Sequence, residues 1–150
     1  MWSMPYNPKA VGERSEGLIL AAFLRAGKVV LQPFGDNQRY DLVVDEDGHF
    51  IRVQCKTGRV KNGAVVFATC SSHVHTAGGG KKGYKGQADL FAVYCPELDK
   101  VFVIPVEAAP DRSCALRLES PKNRQTKGVR MAWNHDFEAH VDLYLSFFSK

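Results

Sequence analysis

Near the two ends of this 150-residue chain, apolar residues recur every three to four positions, which is the period of an α-helix. Residues 8–26 favour a helix, and Gly27 directly after them is a typical helix stop. Its predicted face carries Glu16, Leu20, Phe23 and Leu24, at spacings of four, seven and eight. Residues 136–148 predict a second helix with an apolar stripe. That stripe consists of Phe137, Val141, Tyr144, Leu145 and Phe148.

Six shorter runs between the helices have the apolar character of β-strands. They are KVVLQPF (28–34), YDLVVDE (40–46), HFIRVQCK (49–56), AVVFATC (64–70), DLFAVYC (89–95) and KVFVIPVE (100–107). The glycine-rich segment 71–87 is predicted to be a mobile loop, and the basic segment 120–130 to be extended or looped. This order predicts one domain over residues 1–150, of the α/β (α+β) class, with a central mixed or antiparallel sheet flanked by helices.

Asp47 and Gly48 form the strongest short hairpin signal in the chain. If they are a two-residue turn, Asp41 lies opposite Gln54 on the facing strand, and Lys56 and Arg52 point to the same side. The other side of the hairpin is apolar and is predicted to face the core. Its residues are Leu42, Val44, Ile51, Val53 and Cys55.

The polar side of this hairpin has a composition that suits a hard divalent cation. The Asp41 carboxylate and the Gln54 amide oxygen are ligands of the kind that Mg²⁺ accepts. Lys56 is placed to orient or activate an attacking water and to offset charge on a phosphorane-like transition state. An exposed polar surface with no chemical role is the alternative that this pattern leaves open.

Positive charge is concentrated in two segments, although the net charge is only +4. Residues 52–86 contain seven lysines and arginines and no acidic residue, and residues 112–130 contain six against one glutamate. Such segments favour binding to a polyanion such as nucleic acid. The alternative is an ordinary solvated surface.

The chain has no apolar run near the length of a membrane span and no recognisable signal peptide, so a cytoplasmic protein with no membrane contact is expected. Its four cysteines are widely spaced and contain no C-x-x-C pair, which favours free thiols.

Three motifs resemble the PD-(D/E)XK nuclease superfamily: GERSEG with Glu16, RYDLVV with Asp41, and QCK from Gln54 to Lys56. Over residues 12–138 the chain resembles the bacterial group I intron-associated homing endonucleases of that superfamily. The segments that carry this likeness are GDNQRYDLVVDEDGHFIRVQCKTGR, GYKGQADLFAVYCPELDKVFVIPV and LRLESPKNRQTKGVRMA.

The resemblance implies that Glu16, Asp41 and Gln54 hold Mg²⁺, with Mn²⁺ able to replace it, and that Lys56 assists the attacking water. Two departures stand out: Tyr40 replaces the usual proline, and Gln54 replaces the usual acidic residue. Q-x-K is what the resemblance implies for the intron-associated group. Glu13, three residues before Glu16 on nearly the same helical face, is a second candidate for the helical ligand.

For a nuclease the partner is double-stranded DNA, and lysine and arginine contacts to phosphate supply most of the affinity. The candidate DNA-binding residues are Arg39, Arg52, Arg59, Lys61, Lys81, Lys82, Tyr84, Lys85, Arg124, Lys127 and Arg130. Tyr84 either contacts a sugar or base, or anchors its loop on the core. Cutting both strands requires two copies of one site, so a homo-oligomer, dimer or tetramer, is expected.

Three functions remain open from the sequence. The first is a site-specific, Mg²⁺-dependent DNA endonuclease of the homing type. The second is a Holliday-junction resolvase or repair nuclease of the same fold, which would recognise branched shape. The third is a catalytically silent DNA-binding protein in which Gln54 is the lesion.

Overall fold

The chain folds around a five-stranded sheet that carries its two long helices on one face. A computed structural model describes residues 6–73, 80–125 and 127–149. The helices are α1 (Pro8–Arg25) and α2 (Phe137–Phe148). The strands are β1 (Val29–Leu31), β2 (Leu42–Glu46), β3 (His49–Thr57), β4 (Arg59–Lys61), β5 (Ala64–Ala68), β6 (Cys70–His73), β7 (Gly80–Gly83), β8 (Leu90–Cys95), β9 (Lys100–Pro105) and β10 (Ser113–Arg117). Single 3₁₀ turns lie at Val106–Ala108 and Ala132–Asn134.

The five-stranded sheet has the order β1-β2-β3-β8-β9 and is mixed, as predicted. β3 and β8 are parallel, and the other neighbours are antiparallel. The predicted hairpin register is confirmed, since Leu42 faces Val53 and Val44 faces Ile51. Positive φ at both turn residues, 51° at Asp47 and 87° at Gly48, matches the twist that a two-residue hairpin requires.

Helix α1 begins where the sequence predicts. Asn7 caps it by accepting hydrogen bonds from the N–H groups of Lys9 and Ala10, and the chain leaves the helix at Gly27 with a φ of 78°. The predicted buried face is wrong in part, because Leu24 is 55% exposed. The buried face is Ser15, Ile19 and Phe23, at i, i+4 and i+8. This rotation leaves Glu16 at the border between the core and solvent.

The sequence did not predict the two smaller sheets. A three-stranded sheet has the order β10-β5-β4, and a two-stranded sheet joins β6 to β7. The predicted strand 64–70 therefore ends at Ala68, and part of the predicted loop 71–87 is an ordered hairpin. Residues 74–79 at its tip lie outside the described residues. β4 is only three residues long, and β10 (SCALR) contains no β-branched or aromatic residue, so long-range pairing is what makes them strands.

Each face of the main sheet covers a separate core. The helix side joins Ile19 and Phe23 of α1 and the predicted α2 stripe to Leu42, Val44, Ile51 and Val53. The opposite side packs Phe91, Val93, Phe102 and Ile104 against Val65, Phe67, Cys114 and Leu116 of the three-stranded sheet. The α2 stripe is confirmed, with Phe137, Val141 and Leu145 buried.

Two further sequence expectations concern helices and thiols. In the described part of the chain, neither helix is long and apolar enough to cross a bilayer. All four cysteines are free thiols; Cys70, Cys95 and Cys114 are buried and Cys55 is partly buried.

Candidate active site

The open end of the β2–β3 hairpin, opposite its turn, brings the motif residues together. The backbone N–H of Asp41 donates to the Val53 carbonyl over 2.9 Å, which extends the ladder by one residue beyond β2. The Asp41 carboxylate then accepts a hydrogen bond from the Cys55 N–H, also 2.9 Å. Asp41 is therefore fixed against the strand that carries Gln54 and Lys56.

Helix α1 brings Glu16 to the same place. The neighbouring Ser15 is buried, and its hydroxyl is hydrogen-bonded to the hydroxyl of Thr57 at the end of β3. This contact fixes the helix against the strand one residue away from both Glu16 and Lys56. Glu16 and Asp41 then line one cleft of about 260 Å³.

The cleft is an unfavourable place for negative charge. Burial raises the pKa of Glu16, and the nearby charges of Asp41 and Glu13 raise it further. Burial also raises the pKa of Asp41, against the opposing effects of the Cys55 N–H and the Lys56 charge. The pKa of the Cys55 thiol is raised well above its usual value by burial first and then by these two carboxylates, so this cysteine is not an activated nucleophile.

Lys56 lies on β3 beside these groups. Its Nζ donates to the Tyr84 hydroxyl over 3.1 Å and to the Cys70 carbonyl over 3.4 Å. Gln54, two residues earlier and on the same side of β3, is half-buried, and its Nε2 lies 3.4 Å from the Cys55 carbonyl oxygen. The amide oxygen of Gln54 is its potential metal ligand.

These residues fit a hard divalent cation. Within residues 6–73, 80–125 and 127–149, no three His, Cys, Asp or Glu side chains are grouped to hold a metal ion. The carboxylates of Glu16 and Asp41 line one cleft, whereas Gln54 and Lys56 are not among its lining residues. Carboxylate donors suit Mg²⁺ or Mn²⁺, and the Gln54 amide oxygen as a third ligand stays a prediction. Two carboxylates with raised pKa values in one cleft would be relieved by a cation between them. Glu13 is exposed and does not line the cleft, which favours Glu16 as the helical ligand.

Two of the predicted DNA-binding arginines have their guanidinium groups engaged within the protein. Arg39 donates to the Gln87 and Ser71 side chains and to the carbonyls of Lys82 and Gly83. Arg52 forms an ion pair with Asp89, with an N–O distance of 3.0 Å, and also donates to the Gly86 carbonyl. Both arginines therefore hold the loop that follows β7, and their contact with DNA stays a prediction.

Tyr84 follows the anchoring alternative. It is 5% exposed and packs edge to face against Phe91, with a centroid distance of 5.6 Å. This burial supports the anchoring role of Tyr84, and its contact with a sugar or base stays a prediction.

The remaining predicted cations whose side chains the structure describes are fully or partly exposed. Lys61, Lys82, Arg124 and Lys127 are exposed. Arg59 pairs with Glu97 at 3.4 Å, Lys85 with Asp111 at 3.1 Å, and Arg130 donates to the Ala108 carbonyl over 3.0 Å. The side chain of Lys81 lies outside the described residues.

Sequence reasoning missed the segment between β1 and β2, which forms the other wall of the cleft. Its lining residues include Gln32, Asp36 and Gln38. The available signal was the polar run GDNQ just before Asp41, which reads as an ordinary loop until the fold places it beside Glu16. The Ser15 contact with Thr57 was also missed, because it joins residues 42 positions apart.

Comparison with known proteins agrees with this geometry. The family model "PD-(D/E)XK endonuclease" matches residues 6–139, so the chain belongs to the PD-(D/E)XK endonuclease family, as the motifs predicted. Among solved structures, the chain is similar to the bacterial homing endonuclease I-Ssp6803I, with a TM-score of 0.76 and 22% sequence identity. That alignment covers 95% of this chain and 97% of the other, and at this identity it establishes the fold alone. A search of curated proteins found no match.

Proposed function

We propose that the protein is a divalent-metal-dependent endonuclease that cuts both strands of duplex DNA at a specific site. The observation that carries the proposal is the proximity of Asp41 to both Glu16 and Lys56 at the open end of the hairpin, in a chain of an endonuclease family. The proposal treats residues 1–150 as one endonuclease domain.

The reaction would be hydrolysis of a phosphodiester bond. A water oxygen bonds to phosphorus, the bond from phosphorus to a deoxyribose oxygen breaks, and that oxygen takes up a proton. Mg²⁺ held by Glu16, Asp41 and Gln54 would polarise the phosphate and lower the pKa of a bound water. Lys56 would orient the attacking water and offset the negative charge that develops on the phosphoryl oxygens.

The exposed cations would supply the affinity for DNA. Lys61 is the last residue of β4, the strand that follows β3. Lys82 lies on β7, two residues before Tyr84, whose hydroxyl contacts Lys56. Arg124 and Lys127 belong to the basic segment after β10. Phosphate contacts of this kind position the duplex and weaken as salt is added.

Self-association is part of the proposal, because one copy of this site cuts one strand. Two copies related by a twofold axis would cut both. Leu143 and Phe147 on the outer side of α2 are each 65% exposed, and this is an apolar surface on which to test the contact. Sedimentation equilibrium of the parent protein and of a Leu143→Glu/Phe147→Glu variant would measure the oligomeric state.

The test is cleavage of a plasmid pool that carries fragments of the host genome, with Mg²⁺, by the parent protein and by Lys56→Ala. Discrete cuts that Lys56→Ala makes far more slowly than the parent would support the proposal and identify the target. Equal cutting by both proteins would overturn the site assignment and point to a contaminating nuclease.

Two further substrates and one variant separate the alternatives. Cleavage of four-way junctions without sequence preference would favour a resolvase over a homing-type enzyme. Salt-sensitive duplex binding without cleavage would favour a silent DNA-binding protein. Gln54→Glu discriminates further, because an added charge should restore metal affinity to a silent site and disturb one that works with glutamine.

A further inference from the structure

Two cations approach the ring of Tyr84 at the border of the candidate active site. The Arg39 guanidinium carbon lies 4.0 Å from its ring centroid, and the Lys56 Nζ lies 4.6 Å from the same centroid. The ring is 5% exposed, and its edge-to-face packing on Phe91 connects it to the core. Both distances are within the range of cation–π attraction, which strengthens when water is excluded.

The Tyr84 hydroxyl adds a directed contact to this packing. It accepts a hydrogen bond from the Lys56 Nζ over 3.1 Å, while the Cys70 carbonyl accepts a second one over 3.4 Å. A lysine side chain has a long flexible stem, so an ammonium group without such partners would sample many positions. A phenylalanine would fill the same space, so filling the core does not explain the hydroxyl.

Arg39 also holds Tyr84 in place. Its guanidinium donates to the carbonyls of Lys82 and Gly83, the two residues just before Tyr84, over 3.1 and 2.8 Å. It also donates to the Gln87 side chain over 2.8 Å and to the Ser71 hydroxyl. Arg39 therefore joins the segment before Asp41 to both strands of the β6–β7 hairpin and to the loop that follows it.

We propose that Tyr84, clamped by Arg39, is a positioning residue that holds the Lys56 ammonium where it can act on the attacking water and the phosphate. This inference rests on the proposed function, because it takes Lys56 as the cation of the cleavage reaction. It assigns to the β6–β7 hairpin the task of placing Lys56, in addition to any contact of its exposed lysine with DNA.

The test compares Tyr84→Phe with Tyr94→Phe under single-turnover conditions on the identified target. Tyr94 is the matched control, because its hydroxyl donates to Asp99 and makes no contact with Lys56. We expect Tyr84→Phe to slow cleavage about tenfold, the usual effect of losing a hydrogen bond to a charged group, with the same duplex affinity and melting temperature as the control. Cleavage at the parent rate, or equal losses of cleavage and binding, would overturn the proposal.

A double-mutant cycle separates positioning from a general structural effect. In a Lys56→Ala background, Tyr84→Phe should not slow the residual cleavage further, because the group that it positions is gone. Independent losses that multiply would contradict the inference.

A readout without catalysis distinguishes failure of this inference from failure of the proposed function. Reductive methylation with ¹³C-formaldehyde labels each lysine, and the Lys56 signal is identified by its loss in Lys56→Arg. A nearby ring face should shift that signal upfield in the parent, the shift should become smaller in Tyr84→Phe because the ammonium loses the hydroxyl that holds it, and the shift should vanish in Tyr84→Leu. An unshifted Lys56 signal in the parent overturns the positioning contact, whereas a shifted signal in a protein that cuts no DNA overturns the proposed function alone.

Discussion

Each end of the β2–β3 hairpin carries an aspartate, and the two aspartates have different surroundings. At the turn end, Asp45 accepts a hydrogen bond from the Gly48 N–H over 2.8 Å and faces Phe50, which is 63% exposed. At the open end, Asp41 lies four residues earlier, on the same side of the strand. It accepts its hydrogen bond from Cys55 on the partner strand and shares a cleft with Glu16.

The difference lies in what packs against each end. The turn end is closed by its own backbone, so its aspartate serves local structure. The open end is met by α1, by the parallel strand β8 and by the Tyr84 side chain. Burial at this end raises the pKa of Asp41, against the opposing effects of the Cys55 N–H and the Lys56 charge, and a raised carboxylate pKa is the kind of perturbation that functional sites show.

The largest expected effect comes from neutralising the two aspartates separately. Asp41→Asn should reduce cleavage by about 10³-fold or more, because a charge that holds the metal is lost and several kcal/mol of transition-state stabilisation go with it. Asp45→Asn should cleave like the parent. Single-turnover rates at saturating Mg²⁺ measure both, and equal losses in the two variants would remove the distinction between the ends.

The glycines that flank β3 offer a second contrast, this time in stability. A Cβ at Gly58 would lie 2.8 Å from a Val65 methyl and 2.9 Å from a Val93 methyl, whereas one at Gly48 meets nothing within 4 Å. Gly58→Ala should therefore cost about 1–3 kcal/mol of unfolding free energy through overpacking. Gly48→Ala should cost about 1–2 kcal/mol through its positive φ alone.

Urea denaturation of the two glycine variants measures these costs. Cleavage separates the variants further, because only the Gly58 change moves the strand end that carries Lys56. A Gly58→Ala protein with parental stability and activity would show that the close approach at the open end has no consequence.

The pH dependence of cleavage should report the raised pKa values of Glu16 and Asp41. Protons compete with the metal for these carboxylates, so the cleavage rate should fall as the solution is acidified. Because both pKa values are raised, this fall should occur at a pH above about 4, the ordinary pKa of a carboxyl group. Raising the Mg²⁺ concentration tenfold should move this acid limb to lower pH by up to about one unit. If the loss of activity at low pH does not respond to Mg²⁺, it comes from the titration of another group.

The same carboxylates determine how the stability of the metal-free protein changes with pH. A raised pKa in the folded state contributes stability that is present at low pH and is lost as pH rises through that value. The Glu16→Gln/Asp41→Asn variant should therefore gain stability relative to the parent between acid and neutral pH. Thermal melts of both proteins in EDTA, compared at each pH, measure this difference.

The smallest expected effect concerns lysines near the two ends. Lys61→Ala, just beyond the open end, should weaken duplex binding a few-fold and lower the slope of log affinity against log salt by about 0.9. Lys28, beyond the turn end, is paired with Glu46 and Asp142, at 3.3 and 2.7 Å. Lys28→Ala should leave the salt slope unchanged in a filter-binding titration. An equal loss of duplex affinity in Lys28→Ala and Lys61→Ala would mean that DNA does not bind preferentially near the open end.

The sequence alone determined the features that depend on local geometry. Asp47 and Gly48 set a two-residue turn, and this turn set the register that brings Asp41 opposite Gln54. The spacing of α2 determined its buried stripe in the same way, because a helical period is a property of the chain itself. The three motifs led to the family, which the comparison confirmed.

The tertiary structure decided everything that needs two distant segments. The orientation of α1 buries Ser15 and places Glu16 near Asp41. Arg39 and Arg52 form hydrogen bonds and an ion pair within the protein, and Tyr84 is buried in contact with Lys56. No local period encodes these contacts, because each joins residues far apart in sequence. An arginine or a tyrosine has the same letter whether its partner is a phosphate in solvent or a carbonyl in the fold, and only packing selects between them.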